Sequence, residues 1–389
     1  MLPRIGEVFT SARVLPFAHR PPNVTTPSEP VRNRIPELDG LRGIAVLMVI
    51  AYHYLAPFRA TATGWFRGVL LASQVGWLGV NLFFVLSGYL IASILIAKRD
   101  APAFFRTFYI RRFCRILPLY VPLVIGMYFL HQAFFRTPAP PLYTYFTFTQ
   151  NFWMAAKGTF GLDLLAVTWS LAVEEQFYVI LPALVRFTSP KQMLRLVVAC
   201  ICLAPILRGL LLLSHENRGF AALVLFPTNL DALMIGVLVA WILARGTVSP
   251  SRLARLLLLA GALIVPVVVL TRWRPLTGLL ISFACAAAVV AALRGVRFLR
   301  WKPLRYTGFI SYGLYLLHQP VNWAIHRFGG FDRWDDLRVV GISFVAVYVV
   351  AALSWEGFEK WFVRYGHRFH YERESAAAIV DPLVAYEPR

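Results

Sequence analysis

Ten separate stretches of this chain are apolar over a length that reaches across a bilayer, and that repetition leaves little choice of fold. They fall at about residues 41–57, 75–97, 113–133, 166–185, 196–213, 223–244, 254–270, 276–293, 306–325 and 339–358. Each holds about 17–25 residues, the number a helix needs to cross roughly 30 Å of hydrocarbon. Hydrophobic residues make up 58% of the 389 and charged ones only 15%, with a mean hydropathy of +0.62; a soluble domain carries about 25% charge. The expected fold class is therefore all-α, a polytopic integral membrane protein with about ten transmembrane helices.

The net charge of +20 does not point to nucleic acid, because the basic residues lie between the apolar spans, where they serve as topology signals. Alternate connections, beginning with the one after the second span, hold 17 Lys and Arg, against 10 in the other set. Positive residues stay on the inner side, so both termini are expected in the cytoplasm. Arg32 and Arg34 before the first span, and Lys360, Arg364 and Arg368 after the last, agree with this. Residues 1–33 are polar and proline-rich and lack the apolar run of a signal peptide; a disordered cytoplasmic tail is expected there. A membrane-embedded domain then occupies 34–360 and a cytoplasmic tail 361–389. Cys114, Cys200, Cys202 and Cys285 have no metal-ligand spacing and lie mostly within spans, so no disulfide framework, thiol nucleophile or metal site is expected. No internal repeat is evident.

The first span carries both an arginine and a histidine, Arg42 and His53. Eleven residues are about three helical turns, so the two side chains leave one face roughly 16 Å apart along the axis. Ionisable groups at such depth are costly and face an interior path or site. The fourth span carries Glu174 and Glu175 at about the depth expected for His53, and a histidine beside a carboxylate makes a base and its orienting partner. The ordinary alternative is that a glutamate pairs with an arginine to tie helices together. Adjacent residues diverge by about 100°, so one of the two is expected to face the site and the other a structural partner.

Arg111, Arg112 and Arg115 stand at the cytoplasmic start of the third span. Arg112 and Arg115 share a helix face, and paired guanidinium groups suit phosphate; positive-inside signalling is the plainer explanation. Ser87 and Ser311 are assigned to helix packing. Asp231 and His318 are costly enough to bury that they are candidates for lining a cavity.

Taken together, Arg42 with ten residues before His53, Phe83-Phe84-Val85-Leu86-Ser87-Gly88-Tyr89, the Arg112/Arg115 pair, and Trp169-Ser170-Leu171 leading into Glu174-Glu175-Gln176-Phe177-Tyr178 resemble, in order and spacing, the acyltransferase-3 family of membrane acyltransferases. The resemblance covers about residues 34–360. It implies ten or so helices in a bacterial cytoplasmic (inner) membrane, and transfer of an acyl group, usually acetyl, from cytoplasmic acyl-CoA (acetyl-CoA) to a hydroxyl of a cell-envelope or secreted glycan. In family terms Arg42 and His53 form the essential pair, Arg112 and Arg115, with Arg111 beside them, belong to the CoA donor, and Glu174 and Glu175 fall in a motif of catalytic support. Some relatives carry an extracytoplasmic esterase-like domain after the last helix. The present sequence runs about thirty residues past its tenth span and so resembles the stand-alone form, expected to acylate its acceptor unaided or to hand the group to a separate extracytoplasmic protein.

Acyl-CoA is then expected to enter from the cytoplasm with its phosphates on Arg112 and Arg115, its thioester reaching toward His53. There His53, oriented by Glu174 or Glu175, acts as the base or, as a variant, becomes acylated itself. Aromatic residues around Tyr143, Tyr145, Phe146, Phe148, Phe152 and Trp153 suit either sugar stacking or an interfacial belt. A transporter or flippase for a lipid-linked sugar is the competing function; the absence of a repeat and the basic pair at the mouth of the path argue against it.

Overall fold

The computed structural model describes residues 35–371 apart from 136, 214–217, 272–274 and 332; the expected tail over 1–33 lies outside the described residues, as does all of the C-terminal tail after Tyr371. No strand occurs among the described residues. Ten long helices lie among the described residues: Pro36–Leu55 (α1), Leu78–Ala97 (α2), Phe104–Phe134 (α3), Thr168–Phe187 (α4), Pro190–Leu213 (α5), Leu230–Arg245 (α6), Pro250–Thr271 (α7), Pro275–Leu293 (α8), Ser311–Phe328 (α9) and Leu337–Ser354 (α10). Each coincides with one of the ten apolar stretches. Eight helices among the described residues are long and apolar enough to cross a membrane. The other two, α4 and α9, carry Glu174, Glu175 and Arg186, and His318, Asn322, His326 and Arg327, which lower their hydropathy. The outward faces of α5, α7 and α10 are apolar and uncovered, with Leu213 77%, Leu263 75% and Leu353 67% exposed, as a lipid-facing surface requires.

Close backbone approaches fix the inner helices. A β-carbon on Gly88 would stand 2.0 Å from the Leu233 carbonyl oxygen, and one on Gly236 2.2 Å from that of Val85, so α2 and α6 cross with nothing between their backbones. In the same way Gly43 of α1 lies against the Leu304 carbonyl in the short helix Lys302–Phe309. Held on this side by the α8–α9 connection and on another by α2, α1 sits inside the bundle. It runs parallel to α9, since Arg42 reaches Ser311 and His53 reaches His318 further along both helices.

Two expectations change here. Asp231 does not line the cavity described below; it takes a bidentate bond from Arg208 at 3.0 and 2.5 Å, and Arg208 also donates to the carbonyls of Thr228 and Pro275. The buried pair thus ties α5 to α6 and to the start of α8. The second change concerns α4. Leu162, Leu165 and Thr168 are fully buried around the short turn Asp163–Leu165, so α4 begins inside the bundle and not at its surface. Glu174 and Glu175 are displaced accordingly toward the opposite end.

After α10 the chain makes one π-helical turn at Trp355–Glu359 and, last among the described residues, a helix Lys360–His367. This segment packs on the first turns of α3, where Thr107 Oγ1 donates to the His370 carbonyl.

Candidate active site

Helices α1, α2, α3, α4 and α9 enclose a cavity of about 220 Å³. Its lining runs along α2 from Val80 to Ile94, about 21 Å of helix. Three arginines, Arg42, Arg112 and Arg115, face it together with Glu174. Most of the remaining wall is apolar. Arg42 Nε donates to Ser311 Oγ at 3.4 Å. Glu174 accepts from Ser87 Oγ at 2.7 Å and from the Tyr178 hydroxyl at 3.3 Å, and it lies in the field of both Arg42 and Arg112. Arg112 stands over the Tyr178 ring at 5.6 Å, and Arg115 over Tyr312 at 5.5 Å and Trp355 at 5.2 Å. These aromatic faces help to hold the guanidinium groups of Arg112 and Arg115 in place.

The neighbours in sequence behave differently. Arg111 is turned away from the cavity and gives two hydrogen bonds, at 3.1 and 2.7 Å, to the Phe369 carbonyl. Glu175 does not line the cavity either, and one of its buried carboxyl oxygens has no hydrogen-bond partner among the described residues. The divergence expected of adjacent helical residues therefore holds for both pairs: Glu174 and Arg112 face inward while Glu175 and Arg111 do not.

His53 is not joined to a glutamate. Its Nδ1 lies 2.9 Å from the Val49 carbonyl oxygen and 3.2 Å from Nε2 of His318, and the two rings are 5.0 Å apart. The expected pairing with Glu174 or Glu175 fails because α4 starts deep, which puts Glu174 at the level of Arg42, about three turns of α1 below His53. The histidine pair does not line the cavity, but Tyr315 connects the two places. This residue closes the cavity wall opposite Phe83 (rings 5.9 Å apart), and its ring stands 6.0 Å from that of His318. Its hydroxyl is 2.6 Å from Ser170 Oγ.

Ser87 and Ser311 thus serve the site and not packing alone, and His318 belongs to His53 and not to the cavity. A signal for this group was present: Ser311, Tyr315 and His318 are spaced i, i+4 and i+7, one face of α9, as Arg42 and His53 share one face of α1. Of the aromatic residues after α3, Tyr145 is buried beneath the Tyr120 hydroxyl, which bonds its carbonyl at 3.0 Å, and Phe148 stacks on Tyr120. Tyr143 and Phe152 remain exposed.

A family model described as an acyltransferase domain matches residues 35–356. Among curated proteins, the chain is similar to the peptidoglycan O-acetyltransferase OatA of Listeria monocytogenes, at 29% identity over 84% of this chain and 56% of that protein. YrhL of Bacillus subtilis is 30% identical over 84% of this chain and 54% of its own length. The O-acetyltransferase OatA of Staphylococcus aureus is 28% identical over 74% and 50%. The chain spans about half the length of the curated relatives it matches. No solved structure matches it. Because the matched region takes in all ten helices, including the five that build the arginine-lined cavity and the histidine pair, the chain belongs to the acyltransferase-3 family of membrane acyltransferases.

Proposed function

We propose that this chain is a membrane O-acyltransferase that moves an acyl group, acetyl by the names of its relatives, from acyl-CoA to a hydroxyl of a cell-envelope glycan. The cavity carries the reading. Three guanidinium groups converge on it, a charge arrangement suited to the phosphates of CoA, and its apolar wall leads to Tyr315, next to the histidine pair. A mostly apolar cavity that holds an anion site and ends beside the histidine pair fits a donor with phosphates at one end and a thioester at the other.

In the proposed reaction the phosphates rest on Arg112, Arg115 and Arg42, while Glu174 holds the arginines in register. The acceptor hydroxyl gives its proton to His53 as its oxygen bonds to the thioester carbonyl carbon. The carbon–sulfur bond then breaks, and the departing CoA sulfur takes the proton back from the imidazolium. Arg111 and Glu175 have no part in this scheme. The positive-inside distribution supports a topology with the arginine end, both termini and the donor on the cytoplasmic side of a bacterial inner membrane, and the acceptor at the His53 end. A peptidoglycan acceptor is supported by the name of the Listeria relative.

The test is acetyl transfer by the full chain in proteoliposomes, with labelled acetyl-CoA and soluble peptidoglycan fragments read by mass spectrometry. Wild type is expected to add one acetyl mass. His53→Ala is expected to fold, to keep its thermal stabilisation by acetyl-CoA, and to turn over about 10²–10⁴-fold more slowly, the usual loss with a general base. Normal turnover by His53→Ala would remove His53 from the mechanism. Movement of a lipid-linked sugar without any acetylated glycan would favour a transporter.

A further inference from the structure

The hydrogen bonds around His53 decide which of its nitrogens carries the proton. Carbonyl oxygens have no hydrogen to give. The Val49 carbonyl, 2.9 Å from His53 Nδ1, therefore requires N–H at that nitrogen. By the same reasoning the Tyr315 carbonyl, 2.7 Å from His318 Nδ1, requires N–H there. A neutral imidazole carries one ring proton, which leaves His318 Nε2 bare. That bare nitrogen lies 3.2 Å from His53 Nδ1, where it shares the same hydrogen with the Val49 carbonyl. His53 Nε2 is then the nitrogen with the free lone pair, and it has no hydrogen-bond partner among the described residues.

We propose that His318 is the positioning residue of this site: it accepts from His53 Nδ1, fixes the Nδ1–H tautomer, and so presents His53 Nε2 as the base. The proposal rests on the acyl-transfer reading for its consequence but not for its geometry. In it His318 fills the place first assigned to a glutamate. A histidine serves there because its ring and the backbone that carries it are each held by a hydrogen bond. Its ring donates to the Tyr315 carbonyl, its own carbonyl accepts from the Tyr54 hydroxyl at 2.9 Å, and it is fully buried. The opposite tautomer would point an N–H of His318 at the N–H of His53 and leave the Tyr315 carbonyl without its donor, and a buried group left unsatisfied costs about 1–3 kcal/mol. When His53 takes the acceptor proton at Nε2, its Nδ1–H becomes a stronger donor, and the waiting Nε2 of His318 stabilises the imidazolium without a charged partner.

Two substitutions separate this role from simple packing. His318→Phe keeps a ring of similar size but removes the acceptor. His318→Gln restores an oxygen toward His53 and an N–H toward the Tyr315 carbonyl. In the full chain, His318→Phe is expected to lower kcat about 10–100-fold, the range found when a partner that orients a metal-bound histidine is lost, with KM for acetyl-CoA unchanged. His318→Gln is expected to recover most of that loss. A kcat for His318→Phe equal to wild type would overturn the proposal. So would a His318→Gln protein that melts like wild type yet is as slow as His318→Phe. Nitrogen NMR of ¹⁵N-histidine-labelled wild type gives a reading that needs no variant. A proton on His53 Nδ1 is expected; a proton on Nε2 overturns the inference. If wild type shows the Nδ1–H tautomer but transfers no acyl group, the proposed function fails while the tautomer assignment stands.

Discussion

Arg111 and Arg112 are neighbours in the chain, yet the turn of about 100° between them sends one to the Phe369 carbonyl and the other into the cavity. Composition cannot separate them, since both are arginines in a basic stretch. Arg112→Ala and Arg115→Ala are each expected to weaken acetyl-CoA binding about 10–100-fold, the equivalent of losing a hydrogen bond to a charged group worth about 1.5–3 kcal/mol. Arg111→Ala should leave the affinity near that of wild type. Titrating acetyl-CoA against the melting temperature of each purified variant checks this, and an equal loss at Arg111 would move the donor out of the cavity. Spacing put Arg42 and His53 on one face of α1 and Arg112 and Arg115 on one face of α3, and left open which of Glu174 and Glu175 faces the site. The partner of His53 was not legible. Helical periodicity specifies the face a side chain leaves from, but says nothing of which of nine other helices it meets.

At the scale of the helix, hydropathy located every long element, because each must satisfy its own backbone and cover its own length of hydrocarbon. Depth was harder. Counting from residue 166 as if it lay at a surface put the glutamates level with His53, whereas the buried turn Asp163–Leu165 starts α4 inside the bundle. The register of α2 depends on contacts of the same tertiary kind. A side chain on Gly236 must push against the Val85 carbonyl, so Gly236→Val is expected to destabilise the protein by about 1–3 kcal/mol, the range for overpacked sites. A β-carbon on Gly126 in α3 meets nothing within 4 Å, and Gly126→Ala should be neutral or slightly stabilising because alanine favours helix by about 1 kcal/mol. Thermal unfolding of both variants in the same detergent is the comparison, and equal melting points would refute the close crossing. Because α2 supplies Ser87, Phe83 and Val80 to the cavity, Gly236→Val should also reduce turnover.

At the scale of the whole molecule, the donor scheme requires the arginine end to face the cytoplasm. A cysteine at exposed Ser189, in the α4–α5 connection, and one at exposed Thr63, between α1 and α2, report the two sides once the four native cysteines are replaced. Thr63→Cys should react with a membrane-impermeant maleimide on intact cells, and Ser189→Cys only after permeabilisation. The reverse pattern would put the arginine-lined cavity on the side without acyl-CoA and sink the donor assignment.

Hydropathy and helical spacing by themselves determined that this chain is a bundle of membrane helices, where those helices lie, and which ionisable residues share a helix face. Each of these is imposed on a segment locally, by the bilayer or by the 3.6-residue turn, and needs no knowledge of neighbours. Only the tertiary structure decided which inward residues meet. Glu174 goes to Ser87 and Tyr178, Asp231 to Arg208, and His53 to a histidine 265 residues away. Such pairings depend on the relative depth and rotation of helices, set by contacts as particular as Gly88 on the Leu233 carbonyl and a buried turn before α4.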